Sequence, residues 1–283
     1  MVERVGVVGC GTMGAGIAEI CARAHLSVKV AVSGRDSEHC GRRRLAASLD
    51  RAMTKGRITG FDRDDALSRI IFVHTIDDLA DRQLVIESVT EDEQAKLHLF
   101  KDLDRVMAAP DAVLASNTSS IPIIRLAAAT SRPENVIGIH FFNPVTALPL
   151  TELIASLSTS DKTRAAAEHF AASQLGKQVV WSPDRAGFTV NALLIPYILG
   201  AIRMVESGFT SAEAVDRAMT LGCNHPMGPL QLADLIGLDV VTSIAEAMYQ
   251  EYKEPLYAPP PLLLRMVEAG ALGRKAGRGF HAA

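Results

Sequence analysis

The sequence contains no pair of cysteines spaced for metal binding or redox chemistry: Cys10, Cys21, Cys40 and Cys223 form no CxxC and match no metal-ligand pattern. Free cysteine mostly behaves as a small buried hydrophobe, so reduced structural thiols and no metal are expected. There is no basic excess either. Lys and Arg number 29 against 32 Asp and Glu, a formal charge of −3, which argues against a nucleic-acid partner. No apolar run reaches the roughly 18 residues that a spanning helix needs, so no membrane partner is expected. A signal-peptide pattern is absent too, since Met1-Val2-Glu3-Arg4 leads straight into an apolar strand; a cytoplasmic location is expected. There is no internal repeat, and no low-complexity tract beyond Pro259-Pro260-Pro261. What remains is a globular composition, 48% apolar and 22% charged over 283 residues, enough for one large or two ordinary domains.

Short apolar runs alternate with amphipathic stretches through the first two-thirds of the chain, the pattern of a doubly wound α/β domain. Strands are expected at Arg4–Val8, Ser27–Val32, Ile70–His74, Leu84–Glu87, Ala112–Ser116, Val136–His140, Thr151–Ile154 and Gln178–Trp181. Helices are expected at Gly14–Arg23, around Glu38–Lys55, at Glu93–Met107 and at Asp161–Leu175, the last ended by Gly176. The turn-rich stretch Ser182-Pro183-Asp184-Arg185-Ala186-Gly187 then marks a change of character, and everything beyond it reads helical. Phe188–Glu206 is nearly apolar enough to resemble a membrane segment, but Asn191, Arg203 and Glu206 interrupt it and favour a buried helix. Thr210-Ser211-Ala212-Glu213 fits a capping box. The expected fold is an N-terminal Rossmann-type doubly wound sheet over residues 1–185, followed by an all-α domain over 186–283.

Gly9-Cys10-Gly11-Thr12-Met13-Gly14 is a GxGxxG set directly after a strand and opening a helix. Gly9 permits the tight turn, Gly11 admits a pyrophosphate close to the backbone, and Gly14 lets helix and strand pack closely. The helix start offers amides and a positive dipole end to phosphates. A dinucleotide is therefore expected, with a ligand-free tight turn as the alternative.

One more absence follows from that motif. An NAD site usually presents an Asp or Glu at the end of the second strand, to accept from the adenosine ribose. Here that strand runs Ala31-Val32-Ser33-Gly34-Arg35, with no acid until Asp36. Loss of the acid removes repulsion of a 2′-phosphate, and Arg35 has the planar donor fork to pair with one. NAD(P)(H) is the expected cofactor, with NADP favoured over NAD and Ser33 and Arg35 as its phosphate contacts. Arg35 as a solvated loop residue is the alternative. Arg42, Arg43 and Arg44 read mainly as a wet helix face, because consecutive residues point in different directions.

A second constellation runs from Ser116-Asn117-Thr118-Ser119-Ser120 through His140-Phe141-Phe142-Asn143-Pro144 to Glu152. Together with the glycine turn it resembles the 3-hydroxyacyl-CoA dehydrogenase family, in particular its short 3-hydroxybutyryl-CoA dehydrogenases. Asn224-His225-Pro226-Met227-Gly228-Pro229-Leu230 and the tail Leu272–Phe280 are similar to that family's second domain. The resemblance implies an acyl-CoA substrate held in a cleft between the domains. It makes His140 the catalytic base, Glu152 its orienter, Ser119 a substrate-oxygen contact and Asn191 a neighbour of the reacting group. It further makes Asn143 a nicotinamide-side contact, places Glu91 and Lys96 near the cofactor ribose and substrate, and sets Lys55 on the CoA phosphates.

The chemistry has its own logic. Hydride leaves a secondary alcohol only as its hydroxyl proton is taken, so a base must lie within hydrogen-bond reach. Histidine suits that task, and a carboxylate on its other nitrogen fixes the tautomer. Each residue also has an ordinary structural reading. His140 could be a satisfied core histidine, Ser119 a helix cap, Asn143 a turn cap, Glu91 and Lys96 an exposed helix pair, and Lys55 a helix-end lysine favoured by the dipole.

Four departures from the family pattern stand out: Val32 for the strand-end acid, Pro149 for a common Lys, Ala186 for a Pro, and His281 for a Tyr. The expectation is a dehydrogenase of short-chain (S)-3-hydroxyacyl-CoA, assembled as a homodimer because a helical domain that exposes apolar faces usually finds a symmetric partner. The rivals are a relative acting on an acyl-carrier-protein thioester or a free hydroxy or sugar acid, and a non-catalytic dinucleotide sensor.

Overall fold

The computed structural model describes residues 1–281 and divides into two compact units, Met1–Asp184 and Arg185–Ala283. The first unit is built on one eight-stranded sheet: β1 (Arg4–Val8), β2 (Ser27–Ala31), β3 (Ile70–Val73), β4 (Leu84–Glu87), β5 (Val113–Ser116), β6 (Val136–Phe141), β7 (Leu150–Ile154) and β8 (Gln178–Ser182). Their order is β3-β2-β1-β4-β5-β6-β7-β8, and every neighbouring pair is parallel except β6 with β7. Val5, Val7, Val28, Val30, Ile86, Leu114, Ile137 and Ile139 are all inaccessible to solvent or nearly so. A sheet covered on both faces needs such continuous apolar runs rather than alternation, which is why short Val- and Ile-rich stretches mark these strands.

Helices α1 (Thr12–Arg23), α2 (Arg35–Thr54), α3 (Gly60–Ser68), α4 (Glu93–Val106), α5 (Ile123–Ala128) and α6 (Asp161–Glu168) connect the strands. The helix expected to reach Leu175 instead leaves α geometry after Glu168 and continues as a π-helical turn, His169–Gln174. Helix α3 lies outside the expected helices; Thr59 and Asp62 close its start as a reciprocal capping box. The chain steps outward from β1 to β2 and β3, then crosses back to β4 on the other side of β1. Such a reversal opens a crevice at the carboxyl ends of β1 and β4, where doubly wound sheets bind ligands.

The second unit contains helices α7 (Val190–Glu206), α8 (Ala212–Gly222), α9 (Pro229–Ile236), α10 (Leu238–Tyr252) and α11 (Pro261–Glu268). Ile195, Ile198, Leu199, Ile202, Leu230, Leu238, Val241, Met248 and Leu263 form its core. No helix among the described residues is long and apolar enough to cross a membrane. The start of α8 differs from the expected box. Ser211, not Thr210, is the cap, and its hydroxyl accepts from the Ala214 amide at 3.2 Å. The capping hydroxyl must come from the residue just before the first helical one, which leaves Thr210 one position too early.

Candidate functional site

The turn between β1 and α1 fits a dinucleotide pyrophosphate. Gly9 has φ +94°, and a Cβ there would lie 2.6 Å from the Ser88 carbonyl oxygen. A Cβ on Gly14 would lie 2.1 Å from the Gly9 oxygen, so neither position admits a side chain. Gly11 is the opposite case: nothing stands within 4 Å of its would-be Cβ. Gly11 is also the N-cap of α1, it supplies no side-chain cap, and no acid occupies the first turn. The amides at Thr12, Met13 and Gly14 thus open an uncapped, electropositive helix start, the arrangement a pyrophosphate requires.

Beside it, at the end of β2, a cavity of about 310 Å³ is lined by Val8 to Cys10, Ala31 to Ser33, Ser37, His74 to Ile76 and Val89. No carboxylate lines it. Ser33 faces it with its hydroxyl 3.1 Å from that of Ser37. Arg35 is the first residue of α2 and is exposed. Arg42 is bonded to Glu38 at 2.7 Å with its guanidinium over Phe72, and Arg44 donates to the Cys10 carbonyl at 3.3 Å.

The reversal of direction between β6 and β7 brings the next group of residues together. In that antiparallel pair His140 stands directly opposite Glu152. Nδ1 of His140 lies 2.9 Å from Oε2 of Glu152, and Nε2 lies 3.0 Å from the Ser119 hydroxyl. A carboxylate only accepts, so Nδ1 carries the proton and Nε2 presents its lone pair toward Ser119. Glu152 is fully buried, and its other oxygen accepts from the Ser182 hydroxyl at 2.8 Å. Four residues, Ser119, His140, Glu152 and Ser182, therefore form one bonded chain from the segment after β5 across β6 and β7 to β8.

Glu91 and Lys96 form a second chain that meets the first at Ser119. Lys96 is 1% exposed, which removes the reading as an exposed helix pair. Its Nζ donates to Oε1 and Oε2 of Glu87 at 2.8 and 2.9 Å and pairs with Oε2 of Glu91 at 2.9 Å. Burial opposes charge on both Glu91 and Lys96. The charges and hydrogen-bond donors around each group together more than offset it: Lys96, then Thr118 and Ser119, hold the Glu91 carboxyl below its usual range, and Glu87, then Glu91, hold the Lys96 ammonium above its own.

Glu87 and Ser182 were overlooked in the sequence, and Ser116 was noted only as part of its motif, with no role. Glu87 and Ser182 each close an apolar strand, LVIE and QVVWS, with a polar residue that is buried. That terminal polar residue was their only signal. Asn143 and Thr12 border a larger cavity of about 500 Å³ that also meets Arg43, Arg44 and Arg51 of α2. Lys55 caps the C-terminal end of α2, is exposed, and lines neither cavity. Asn191 belongs to the second unit, buried in the first turn of α7. Among the described residues no cluster of His, Cys, Asp and Glu is arranged to hold a metal.

A Rossmann-type sheet with a glycine turn, and a bonded Ser–His–carboxylate chain, defines a dinucleotide-dependent dehydrogenase. Residues 4–185 match the NAD binding domain of 3-hydroxyacyl-CoA dehydrogenase and residues 187–283 its C-terminal domain. A 3-hydroxybutyryl-CoA dehydrogenase of Mycobacterium tuberculosis is 57% identical over 280 residues, covering 99% of this chain and 98% of that protein. The mitochondrial hydroxyacyl-coenzyme A dehydrogenase of Homo sapiens is 36% identical over 288 residues, 99% and 91% of the two chains. The crystal structure of (S)-3-hydroxybutyryl-CoA dehydrogenase PaaH1 from Ralstonia eutropha superimposes with a TM-score of 0.94 at 44% identity, over 100% of this chain and 99% of that one. The chain belongs to the 3-hydroxyacyl-CoA dehydrogenase family.

Proposed function

We propose that this protein interconverts a short-chain (S)-3-hydroxyacyl-CoA and its 3-oxo form, using a nicotinamide dinucleotide. The observation that carries the reading is the ring of His140, bonded on one side to buried Glu152 and on the other to Ser119. Substrate oxygen at the Ser119 hydroxyl would stand within reach of Nε2, which takes its proton in the oxidative direction. Glu152 holds the tautomer that makes this possible and stabilises the imidazolium that results. The bound nicotinamide supplies the hydride acceptor. Asn191 is assigned beside the reacting group, and Asn143 to the nicotinamide side. Lys55 is assigned to the phosphates of the CoA, and the wall formed by Arg43, Arg44 and Arg51 of α2 favours a phosphorylated carrier over a free hydroxy acid.

Gly9, Gly11, Thr12, Met13 and Gly14 are assigned to the pyrophosphate, and Ser33 and Arg35 to a ribose 2′-phosphate, so that NADP(H) is preferred. The cavity at the end of β2 has no carboxylate in its lining to repel such a group. Arg35 opens a helix, an unfavourable place for a cation, and a bound phosphate would offset that. We further assign the protein to the cytoplasm, where the exposed, unpaired thiols of Cys40 and Cys223 suit a reducing compartment, and to a homodimer.

The test is reduction of acetoacetyl-CoA with NADH and NADPH side by side, comparing kcat/KM. Turnover with both and a preference for NADPH is expected. The variant Val32→Asp should move the ratio toward NADH by roughly tenfold, about 1.4 kcal/mol. A strong NADH preference in the unaltered protein removes the phosphate assignment of Arg35. Dinucleotide binding without turnover, unaffected by His140→Ala, would identify a sensor instead.

A further inference from the structure

We propose that Asn117 is a positioning residue that sets the separation between the Ser119 hydroxyl and the His140 ring. The inference rests on the reading of Ser119 and His140 as the proton-handling pair. Its basis lies in where β5 ends. That strand accompanies β6 only as far as Ser116, which stands opposite Gly138. β6 runs on to Phe141, so Ile139, His140 and Phe141 extend past their neighbour on that side. On the other side β7 stays with them, His140 opposite Glu152 and Phe141 opposite Thr151. The main chain after Ser116 serves β4 instead, where the Asn117 amide donates to the Glu87 carbonyl at 3.0 Å.

The side chain of Asn117 takes over the missing rung. Its Oδ1 accepts from the Phe141 amide at 2.9 Å, as the carbonyl of a longer β5 would. Phe141 is 1% exposed, and a buried amide needs such an acceptor. The bond also closes a ring. From Ser119 the chain runs back through Thr118 to Asn117, crosses to Phe141, and returns through His140 to the Ser119 hydroxyl. Two hydrogen bonds complete it, Asn117 to Phe141 at 2.9 Å and Ser119 to His140 at 3.0 Å. The first lies one residue from His140 and two from Ser119, so a change in its length reaches both. It orients the peptide that follows His140, and with it the Phe142 ring, whose centroid lies 4.6 Å from that of His140.

The experiment compares Asn117→Leu, which keeps the shape without the acceptor, with Asn117→Asp, which keeps the acceptor. Ser119→Ala and the double variant of Asn117→Leu with Ser119→Ala complete the set. Measured are kcat and KM for acetoacetyl-CoA reduction, the NADH dissociation constant by fluorescence, and the Nε2 resonance of His140 by nitrogen NMR. Asn117→Leu is expected to lower kcat by roughly 10- to 100-fold, the effect of displacing a reacting group by about an ångström. KM and NADH affinity should stay within about twofold, because the lost bond joins two parts of the protein. Asn117→Asp should recover most of the rate. The His140 resonance should move in Asn117→Leu in the same direction as in Ser119→Ala, since the ring's bond to the hydroxyl is disturbed in both. The double variant should lose less than the product of the two single losses.

Full kcat in Asn117→Leu would overturn the proposal, as would multiplicative losses in the double variant. So would a rate lost in Asn117→Leu that Asn117→Asp does not recover. A tenfold loss of NADH affinity or rise in KM with kcat retained would replace the positioning role with a ligand contact. Should Asn117→Leu fail to fold, Asn117→Ala removes the acceptor without the bulk and gives the same comparison. An unaltered protein that turns over no thioester would sink the substrate reading alone; the His140 resonance would still decide the positioning role.

Discussion

Glu152 has one oxygen on the ring of His140 and the other on the hydroxyl of Ser182. The second bond sets the rotation of the carboxylate, and through it the plane of the imidazole. Ser182→Ala removes a donor from a fully buried charge, which costs about 1–3 kcal/mol of stability. It should also lower kcat several-fold with KM for the thioester little changed, because the residue meets Glu152 and not the Ser119 hydroxyl to which the substrate oxygen is assigned. Ser182→Thr, which restores the hydroxyl, should recover most of the rate. Equal losses in the Ala and Thr variants would show that packing at the end of β8 matters and the hydrogen bond does not. His140, Glu152 and Ser119 could be singled out in the sequence through the motifs that carry the family resemblance, and the structure bonds the three to one another. Ser182 could not, since its relation to Glu152 exists only in the register of β7 against β8, where Glu152 pairs with Val180 and Ile154 with Ser182. For Lys96 the sequence left an exposed helix pair open as the alternative, because helical spacing alone does not reveal that Glu87 is buried beside it.

The β1–turn–α1 element separates two roles that one glycine motif combines. At Gly14 a methyl group would be forced against the backbone oxygen of Gly9, so strand and helix would have to part. Gly14→Ala is expected to destabilise the protein by roughly 2 kcal/mol, in the range of an overpacked core, and to weaken dinucleotide binding as a consequence. At Gly11 a methyl group would project into open space at the helix start, where the pyrophosphate is assigned. Gly11→Ala should therefore keep its thermal midpoint while losing NADH affinity. Melting curves and NADH titrations of the two variants check the distinction; an equal loss of stability in both would mean the turn has no ligand-facing glycine. Elements of this kind read well from sequence, since strand, glycine turn and helix are adjacent in the chain. Element ends read less well. The π-helical continuation of α6 and the Ser211 cap of α8 each depend on a one-residue choice of hydrogen-bond partner that composition leaves open.

At the scale of the whole molecule, alternating strand and helix patterns foreshadowed the doubly wound sheet, and the turn-rich stretch before Gly187 foreshadowed the passage to a helical unit. The antiparallel return of β7 was not foreseeable in the same way. An apolar run reads alike in either direction, and only the finished pairing of His140 with Glu152 shows that it matters. The helical unit also poses a question its own core does not answer. Leu193, Phe209 and Leu221 are 75%, 77% and 74% exposed, and Leu235 and Val240 are exposed as well; Phe209 lies between α7 and α8, and the other four lie on helices whose remaining apolar residues fill the core. Scattered apolar residues on a surface are ordinary, but several large ones on a single small helical unit suit a surface that is covered in use. A symmetric partner covers such a surface with the same residues from a second copy. Sedimentation at micromolar concentration should accordingly give about twice the chain mass of 30.3 kDa. Leu193→Asp and Phe209→Asp each place a charge at an exposed position without touching the core, and they should shift the protein toward monomer while its melting remains cooperative. A monomeric mass for the unaltered protein would remove the homodimer, and would leave those side chains exposed for some other partner.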